Sequence, residues 1–214
     1  IKFKDLDGDG QITENDRTVI GNTTPKFQGG FGLSGQWKNF DFTANFNYMV
    51  DFDVYNATNY MLSSSISNTN NFYNVLADFT QKNRWTYVRA DGECLYKNTN
   101  IDGSVNEYIT MNAGKSLWNP ADVEDKVTHS YFVEDGSFLR LQDVTIGYTL
   151  PSNLTKKWGM SKVRFYASAS NLFILTGYSG YDPEVDVQSG LTPSMDYNRY
   201  PRSRSFVFGT NITF

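Results

Sequence analysis

The chain has 214 residues, a formal net charge of −4 and an aromatic content of 16%. The aromatic content excludes an intrinsically disordered chain, and the acidic balance argues against a protein that binds nucleic acid through a basic face. With one cysteine and one histidine, the sequence also excludes a disulfide framework and a zinc site made of several such ligands. It has no long apolar run, no visible signal peptide and no initial methionine. We therefore expect no transmembrane helix, and we expect the chain to be a piece of a longer protein.

An acidic loop near the start, DLDGDGQITEND at residues 5–16, has the spacing of an EF-hand calcium loop. Oxygen ligands would come from the side chains of Asp5, Asp7, Asp9 and Asp16 and from the backbone carbonyl of Gln11. Gly10 falls where such a loop turns sharply. The departure is Asp16, where an EF-hand has a longer Glu. We predict structural Ca²⁺ here, and the alternative is a turn rich in aspartate without metal.

Alternation of apolar and polar residues with period two predicts antiparallel strands. In FDFTANFNYM, for example, Phe40, Phe42 and Phe46 share one face, and Asp41 and Asn45 lie on the other. The residues between the second and third strands are rich in Asn, Ser, Tyr and Asp, and a turn or two of helix is expected only within 74–85. The predicted strands, about five in number, cover residues 27–37, 40–49, 138–150, 162–174 and 203–214.

The connections between these strands alternate in length. Residues 38–39 and 151–161 are short, whereas 50–137 and 175–202 are long. Short turns at one end and long loops at the other are typical of a bacterial outer-membrane β-barrel, whose strands have about ten residues and alternate in polarity. The alternative is a soluble antiparallel sandwich with one solvated face. Five strands are too few to close a membrane barrel, so a barrel would need more chain than this.

Several stretches, in order, resemble the C-terminal end of SusC-like (RagA-like) TonB-dependent outer-membrane transporters of Bacteroidetes. They are DLDGDGQITENDRTVIGNTTPKFQGGFGLSGQWKNFDF, SFLRLQDVTIGYTLP, VRFYASASNLFILTGYSGYDPEV and YPRSRSFVFGTNITF. The resemblance implies an all-β fold in which these are the last strands of a 22-stranded transmembrane barrel. The barrel would hold an N-terminal plug, absent here, through which TonB acts. Phe214 would be the terminal aromatic residue that the barrel-assembly machinery recognises.

The same resemblance implies a function and an orientation. The family imports oligosaccharides or oligopeptides across the outer membrane, and a SusD-like surface lipoprotein acts as a lid. Residues 1–26, with the predicted calcium loop, would be extracellular, as would the loops 50–137 and 175–202 that interrupt the barrel region 27–214. The partners would be the lipoprotein, TonB, a glycan or peptide substrate and outer-membrane lipid, and no nucleic acid.

A second candidate site lies in the long C-terminal loop, where aromatic rings, carboxylates and arginines could contact a ligand or the lid. An alternative is that these residues only pack within the loop. His129 has no nucleophile context, and we expect it to be a solvated loop residue. The candidate contacts are Tyr178, Tyr181, Asp182, Tyr197, Arg199 and Tyr200.

Two other functions remain open at this stage. One is a soluble, secreted β-sandwich that binds carbohydrate and carries a structural calcium. The other is a calcium-dependent hydrolase domain. The sequence shows no convincing carboxylate pair or catalytic triad, so we do not expect an enzyme.

Overall fold

The computed structural model describes residues 3–63, 74–80, 83–88, 94–95, 109–110, 114–120, 128–185 and 192–214. The chain divides into two compact units. One unit comprises Ile1–Ile20 and Asn56–Phe132, and the other comprises Gly21–Tyr55 and Val133–Phe214. Within the described residues, no helix is long and apolar enough to cross a membrane.

Most of the regular secondary structure is β, in agreement with the sequence prediction. Short helices are α1 (Ala57–Leu62), α2 (Ser152–Thr155) and the 3₁₀ turns Glu14–Asp16, Ser130–Phe132 and Lys156–Trp158. The strands are β1 (Phe27–Trp37), β2 (Phe40–Val50), β3 (Asp53–Asn56), β4 (Tyr87–Val88), β5 (Cys94–Leu95), β6 (Ile109–Thr110), β7 (Val133–Asp135), β8 (Phe138–Thr149), β9 (Lys162–Thr176), β10 (Met195–Asp196) and β11 (Ser205–Thr213).

A five-stranded antiparallel sheet in the order β1-β2-β8-β9-β11 makes up most of the larger unit. All five predicted strands are present, and only their ends differ from the prediction. β9, for example, continues to Thr176 instead of ending at residue 174. In the part of the chain that the structure describes, no strand pairs with the outer edge of β1 or β11. Within these described residues, the edges of β1 and β11 are therefore unpaired.

One face of this sheet is apolar and exposed. The register aligns Trp37 with Phe40, Phe40 with Tyr148, and Tyr148 with Phe165, which makes an aromatic row across four strands. On the last strand Phe208 lies opposite Ala167 and is 79% exposed. A soluble protein rarely leaves so large an apolar surface uncovered. The face is suited to contact with lipid, as the alternation predicted.

The opposite face is polar and internally hydrogen-bonded. Thr145 and Ser168 hydroxyls lie 2.7 Å apart, and the Ser170 hydroxyl donates to Asp143 at 2.7 Å. Arg164 donates to both carboxylate oxygens of Asp41, with Nε at 2.9 Å from Oδ1.

Gly147 makes room for that ion pair on the polar face. A Cβ at Gly147 would lie 2.5 Å from Oδ1 of Asp41 and 2.6 Å from Nε of Arg164. The absence of a side chain at this position therefore allows the two charges to meet across β8.

A β-bulge interrupts β8, and the sequence analysis missed it. Asn45 pairs with Asp143 and Phe46 pairs with Leu141, so Gln142 is the extra residue. On the other side of β8 the register shifts at the same place, beside Asn171, whose φ is +53°. The bulge keeps Leu141 on the apolar face although the simple alternation would reverse it.

The two ends of the sheet differ, as the connection lengths predicted. At the turn end, the Thr149 amide donates to the Asn39 carbonyl and the Ser161 amide donates to the Thr213 carbonyl, both at 2.8 Å. At the loop end, β10, β3 and β7 form a small sheet in that order. A buried apolar cluster lies at the loop end and contains Phe52, Val54, Phe138 and Tyr178. Which side of a membrane each end faces stays a prediction, as does the domain boundary at residue 26.

The smaller unit contains α1 and a three-stranded sheet in the order β5-β4-β6. The Asn56 side chain caps α1 by accepting from the Asn59 amide at 2.9 Å. This helix was not expected. The turn of helix expected within 74–85 is not present in its described residues, 74–80 and 83–85, which form turns and a single bridge.

Aromatic side chains pack around His129 in this unit. The ring of His129 lies 4.9 Å from that of Phe132, 5.8 Å from that of Trp118 and 6.4 Å from that of Tyr60. Only 8% of His129 is exposed. The expectation of a solvated loop histidine is therefore wrong, because residues distant in sequence cover the ring. Burial holds the pKa of His129 below its usual value.

Candidate functional site

The loop end of the larger unit carries the predicted ligand or lid contacts. Residues 177–185 follow β9, and residues 192–204 lead through β10 to β11. The β10 segment is held in place because the Tyr55 amide donates to the Ser194 carbonyl at 2.9 Å. Asp186, which the sequence groups with this loop, lies outside the described residues.

Tyr178 anchors this region from within. It is 6% exposed, and its hydroxyl donates to Asp196 Oδ2 at 2.7 Å. Burial and the Asp196 hydrogen bond raise the pKa of Tyr178 well above its usual value. This placement favours a packing role for Tyr178 over direct contact with a ligand.

A network of charges surrounds Arg140, whose side chain is 4% exposed. Its Nη2 lies 2.6 Å from Asp182 Oδ1, and its Nε lies 3.4 Å from Glu184 Oε2. Arg202 reaches the other oxygen of Glu184 at 2.6 Å. A buried arginine is tolerated only with carboxylate or hydrogen-bonding partners. Because the carboxylates that pair with Arg140 belong to the loop, the network attaches the loop to β8.

A cleft of about 140 Å³ opens beside this network. Its volume is smaller than that of usual small-molecule sites. The lining residues are Asp182, Glu184, Val185, Asp196, Arg199, Tyr200 and Arg202.

Three of the six predicted contacts, Asp182, Arg199 and Tyr200, therefore line one cleft. Tyr181, Tyr197 and Tyr200 are exposed by 79%, 60% and 88%. Exposed aromatic rings offer contact area to sugar rings or peptide side chains at a small entropic cost. Their role in binding stays a prediction.

The sequence analysis missed Arg140 as part of this arrangement. A signal was present in FLRLQDV, where a charged residue follows apolar ones at the start of a strand. Its partner Glu184 lies in the same YDPEV stretch as Asp182 and could have been included with it.

The acidic loop lies in the smaller unit and has part of the geometry of a cation site. Carboxylate oxygens of Asp5, Asp7 and Asp9 lie within 4.8 Å of one another. Gly10 has φ +82°, as the sharp turn requires, and its amide donates to Asp5 Oδ2 at 2.9 Å. The Gln11 amide donates to Asp9 Oδ1 at 2.7 Å.

Asp16 closes this loop by accepting backbone hydrogen bonds. Its Oδ1 accepts from the Leu6 amide and its Oδ2 from the Thr13 amide, each at 2.7 Å. The bonds from Thr13 and Leu6 hold the pKa of Asp16 below its usual value. Because both oxygens already accept a hydrogen bond, the structure assigns Asp16 a role in closing the loop, and ligation by Asp16 stays a prediction.

Phe214, the predicted assembly signal, follows the end of β11 and is 87% exposed. Its exposure leaves the ring accessible to a binding partner. Recognition of Phe214 by an assembly factor stays a prediction.

Known proteins with similar sequences are named TonB-dependent receptors, although no family model matches the chain. The chain is 34% identical over 218 aligned residues to TonB-dependent receptor P3 of Formosa agariphila. This alignment covers 99% of the chain and 19% of that protein. It is 28% identical to TonB-dependent receptor SusC of Bacteroides thetaiotaomicron, over 99% of the chain and 17% of SusC. The chain thus spans about a fifth of the length of these curated relatives.

Solved structures agree on the fold. The RagAB peptide transporter matches with a TM-score of 0.68 and 24% identity, over 95% of the chain and 19% of the transporter chain. RagAB in a closed-closed state matches with a TM-score of 0.67, over 98% of the chain. These relatives place the chain in the outer membrane, and the prediction of an all-β fold is confirmed. The chain belongs to the TonB-dependent receptor family that includes SusC.

Proposed function

We propose that the chain supplies wall strands and loops of a 22-stranded outer-membrane barrel that imports oligosaccharides or oligopeptides. The observation that carries the proposal is the five-stranded sheet, whose apolar face is exposed and whose other face is polar. Such a sheet suits a wall between lipid and a wet lumen. Relatives named as TonB-dependent receptors, and the likeness to a peptide transporter, support the transport function.

In this proposal TonB drives import through a plug that lies elsewhere in the protein, and a SusD-like lipoprotein covers the loop end. Exposed Tyr181, Tyr197 and Tyr200 are suited to contact the lid or the substrate. The function is transport and not catalysis. A carbohydrate-binding sandwich is disfavoured, since a soluble module would not expose Phe208 and its neighbours on one face.

Uptake by cells tests the proposal. A strain that lacks the full-length protein is complemented with the native gene, and growth is compared on defined oligopeptides and on defined oligosaccharides as nutrient. Restored growth on one of these classes, abolished when TonB is deleted, is the expected result. Equal growth of the deleted and complemented strains on every substrate tested would contradict import.

We also propose that the acidic loop binds structural Ca²⁺. The carboxylates of Asp5, Asp7 and Asp9 and the Gln11 carbonyl would supply the oxygens that Ca²⁺ prefers. The close approach of three carboxylates and the sharp turn at Gly10 support the fit. The ion would fix this loop and take no part in a reaction.

Equilibrium dialysis against ⁴⁵Ca²⁺ tests the ion directly in the purified full-length protein. Asp5→Ala combined with Asp9→Ala is expected to lower the bound calcium by one ion per chain. The control is Asp78→Asn, which removes an exposed carboxylate from the same unit. Unchanged calcium content in the double variant would refute the assignment.

A further inference from the structure

The connection between β8 and β9, residues 151–161, carries exposed apolar and basic side chains together. Leu154 is 41% exposed and Trp158 is 62% exposed. The two lie four residues apart in a continuous helical segment, so they emerge on the same side of it. Lys156 and Lys157 lie between them and are exposed.

The connection is a folded element attached to the sheet. Thr155 is fully buried and Val163 is 4% exposed, and α2 contacts β9. The Met160 amide donates to the Thr155 carbonyl at 3.1 Å, and Gly159 ends the helical segment with φ +70°. The segment therefore folds back against the start of β9, with Leu154 and Trp158 directed to the surroundings.

The adjacent end of the sheet presents aromatic rings on its apolar face. Trp37, Phe40, Tyr148 and Phe165 form the aromatic row closest to the turns. Lys38 lies with its Nζ 4.8 Å from the centre of the Trp37 ring. Apolar rings beside lysine ammonium groups are the composition of a membrane interface.

Charge at this end is unbalanced. The connection PSNLTKKWGMS has no carboxylate, and the nearby Asp41 is bound by Arg164. Among the described residues, Lys156 and Lys157 form no ion pair. Their charges are therefore available to an external anion.

We propose that residues 151–161 form an interfacial anchor that binds the headgroups of anionic phospholipids in the leaflet at the turn end of the barrel. Leu154 and Trp158 insert into the boundary between headgroups and acyl chains, and Lys156 and Lys157 contact the lipid phosphates. The proposal rests on the outer-membrane location and is independent of the transported substrate.

The first experiment measures how deeply residue 154 enters the lipid bilayer. The full-length protein carries Leu154→Cys with Cys94→Ser, is labelled with a nitroxide, and is placed in phosphatidylcholine nanodiscs. The label is expected to collide with oxygen more than with a water-soluble nickel reagent. The control label at Tyr200→Cys, in the exposed loop, should show the opposite preference. A label at 154 with the water-exposed pattern of the control would overturn the anchor.

The second experiment measures lipid preference. Native mass spectrometry counts the lipids retained after release from nanodiscs of mixed phosphatidylglycerol and phosphatidylcholine. Each lysine near an anionic surface strengthens binding about fivefold. The Lys156→Gln/Lys157→Gln variant is therefore expected to retain at least one phosphatidylglycerol fewer than the native protein. The charge-matched control Lys4→Gln/Lys115→Gln should retain the native number.

Two outcomes of this experiment would overturn headgroup binding. One is equal retention of phosphatidylglycerol by the native protein and the lysine variant. The other is displacement of the retained lipid by inorganic phosphate at millimolar concentration, which would assign the lysines to free phosphate. If the lysine variant assembles poorly, the depth measurement still decides whether the segment enters the membrane.

Discussion

The apolar face of the five-stranded sheet and the aromatic cluster around His129 use aromatic side chains in opposite ways. In the five-stranded sheet, Phe208 and Trp37 are exposed by 79% and 68%. In the smaller unit, Phe132 is 3% exposed and its ring contacts those of Tyr60, Trp118 and His129. The same residue types thus point outward on the sheet face and inward in the cluster. Composition alone does not distinguish these arrangements, and the period-two spacing indicates only the one on the sheet.

This difference in the exposure of aromatic rings follows from the solvent that surrounds each region. In water, an aromatic ring gains free energy only by leaving the solvent, so rings gather in a core. In lipid, the surroundings are already apolar, and the polar groups need shelter instead. In accord with this rule, Asp41 and Arg164 pair on the polar face of the sheet, opposite the apolar face.

The largest effect is expected from Phe132→Ala in the smaller unit. Removal of a buried aromatic side chain lowers the free energy of unfolding by about 3–5 kcal/mol. Hydrogen exchange in the full-length protein should become faster in α1, since the Phe132 ring lies 5.4 Å from that of Tyr60. Exchange in β8 and β9 serves as the internal control. Unchanged exchange in α1 would show that this aromatic cluster does not stabilise the unit.

Next in size is the effect of a charge on the apolar face. Phe208→Arg should destabilise the barrel by about 2–4 kcal/mol if the residue lies near the membrane midplane. Phe206→Arg changes the same face. Val207→Arg is a matched control, because Val207 pairs with Ser168 on the polar face. The measurement is the yield of heat-modifiable barrel, and equal yields for Phe208→Arg and Val207→Arg would refute the assignment of faces.

A smaller effect is expected from the ion pair on the polar face. Asp41→Asn weakens the contact with Arg164, and the side chains are 33% and 22% exposed. Solvent screening limits the loss in unfolding free energy to about 1 kcal/mol. Urea unfolding of Asp41→Asn, Arg164→Gln and the double variant forms a cycle that isolates the pair. Additive losses would show that the pair contributes nothing.

The smallest effect concerns pH. His129 has a pKa below its usual value because it is buried, so the fold favours the neutral ring. The unfolded chain takes up a proton first, near pH 6.5, and stability is lost as the pH falls below that value. Proteolysis of residues 56–132 in the full-length protein should accelerate from pH 7.5 to pH 5.5, and less so in His129→Phe. An equal acceleration in both would assign the pH dependence to other groups.

The sheet could be predicted from sequence because its two faces differ in polarity at every strand. Phe40, Phe42 and Phe46 alternate with polar residues, and the connection lengths fix which strand ends lie together. The bulge at Gln142 was not predictable, because one polar residue out of phase leaves no separate signal. The six-residue helix α1 is too short to show a helical period. His129 is buried by rings from Tyr60 and Trp118, and contacts between residues so far apart do not appear in a local pattern.

The candidate sites could be predicted only in part. Spacing indicated the acidic loop, because Asp5, Asp7 and Asp9 are local in sequence. The cleft at the loop end joins Asp182 with Arg199 and Tyr200, which the composition of the loop suggested. The burial of Tyr178 and the part played by Arg140 depend on how β8, β9 and β10 meet, and no single segment carries that information.

The bulge at Gln142 has a consequence for how this strand can change during evolution. Leu139 and Leu141 share the apolar face with Val144 and Ile146 because the bulge absorbs the one extra residue, Gln142, that would otherwise reverse the alternation. Deletion of Gln142 alone would remove the bulge and restore simple alternation, which leaves Leu139 and Leu141 on the apolar face and Arg140 on the polar face. Loss of Gln142 should therefore be tolerated during evolution, whereas a single-residue insertion or deletion between Asp143 and Thr149, where β8 has no bulge, would reverse the faces and should be eliminated by selection.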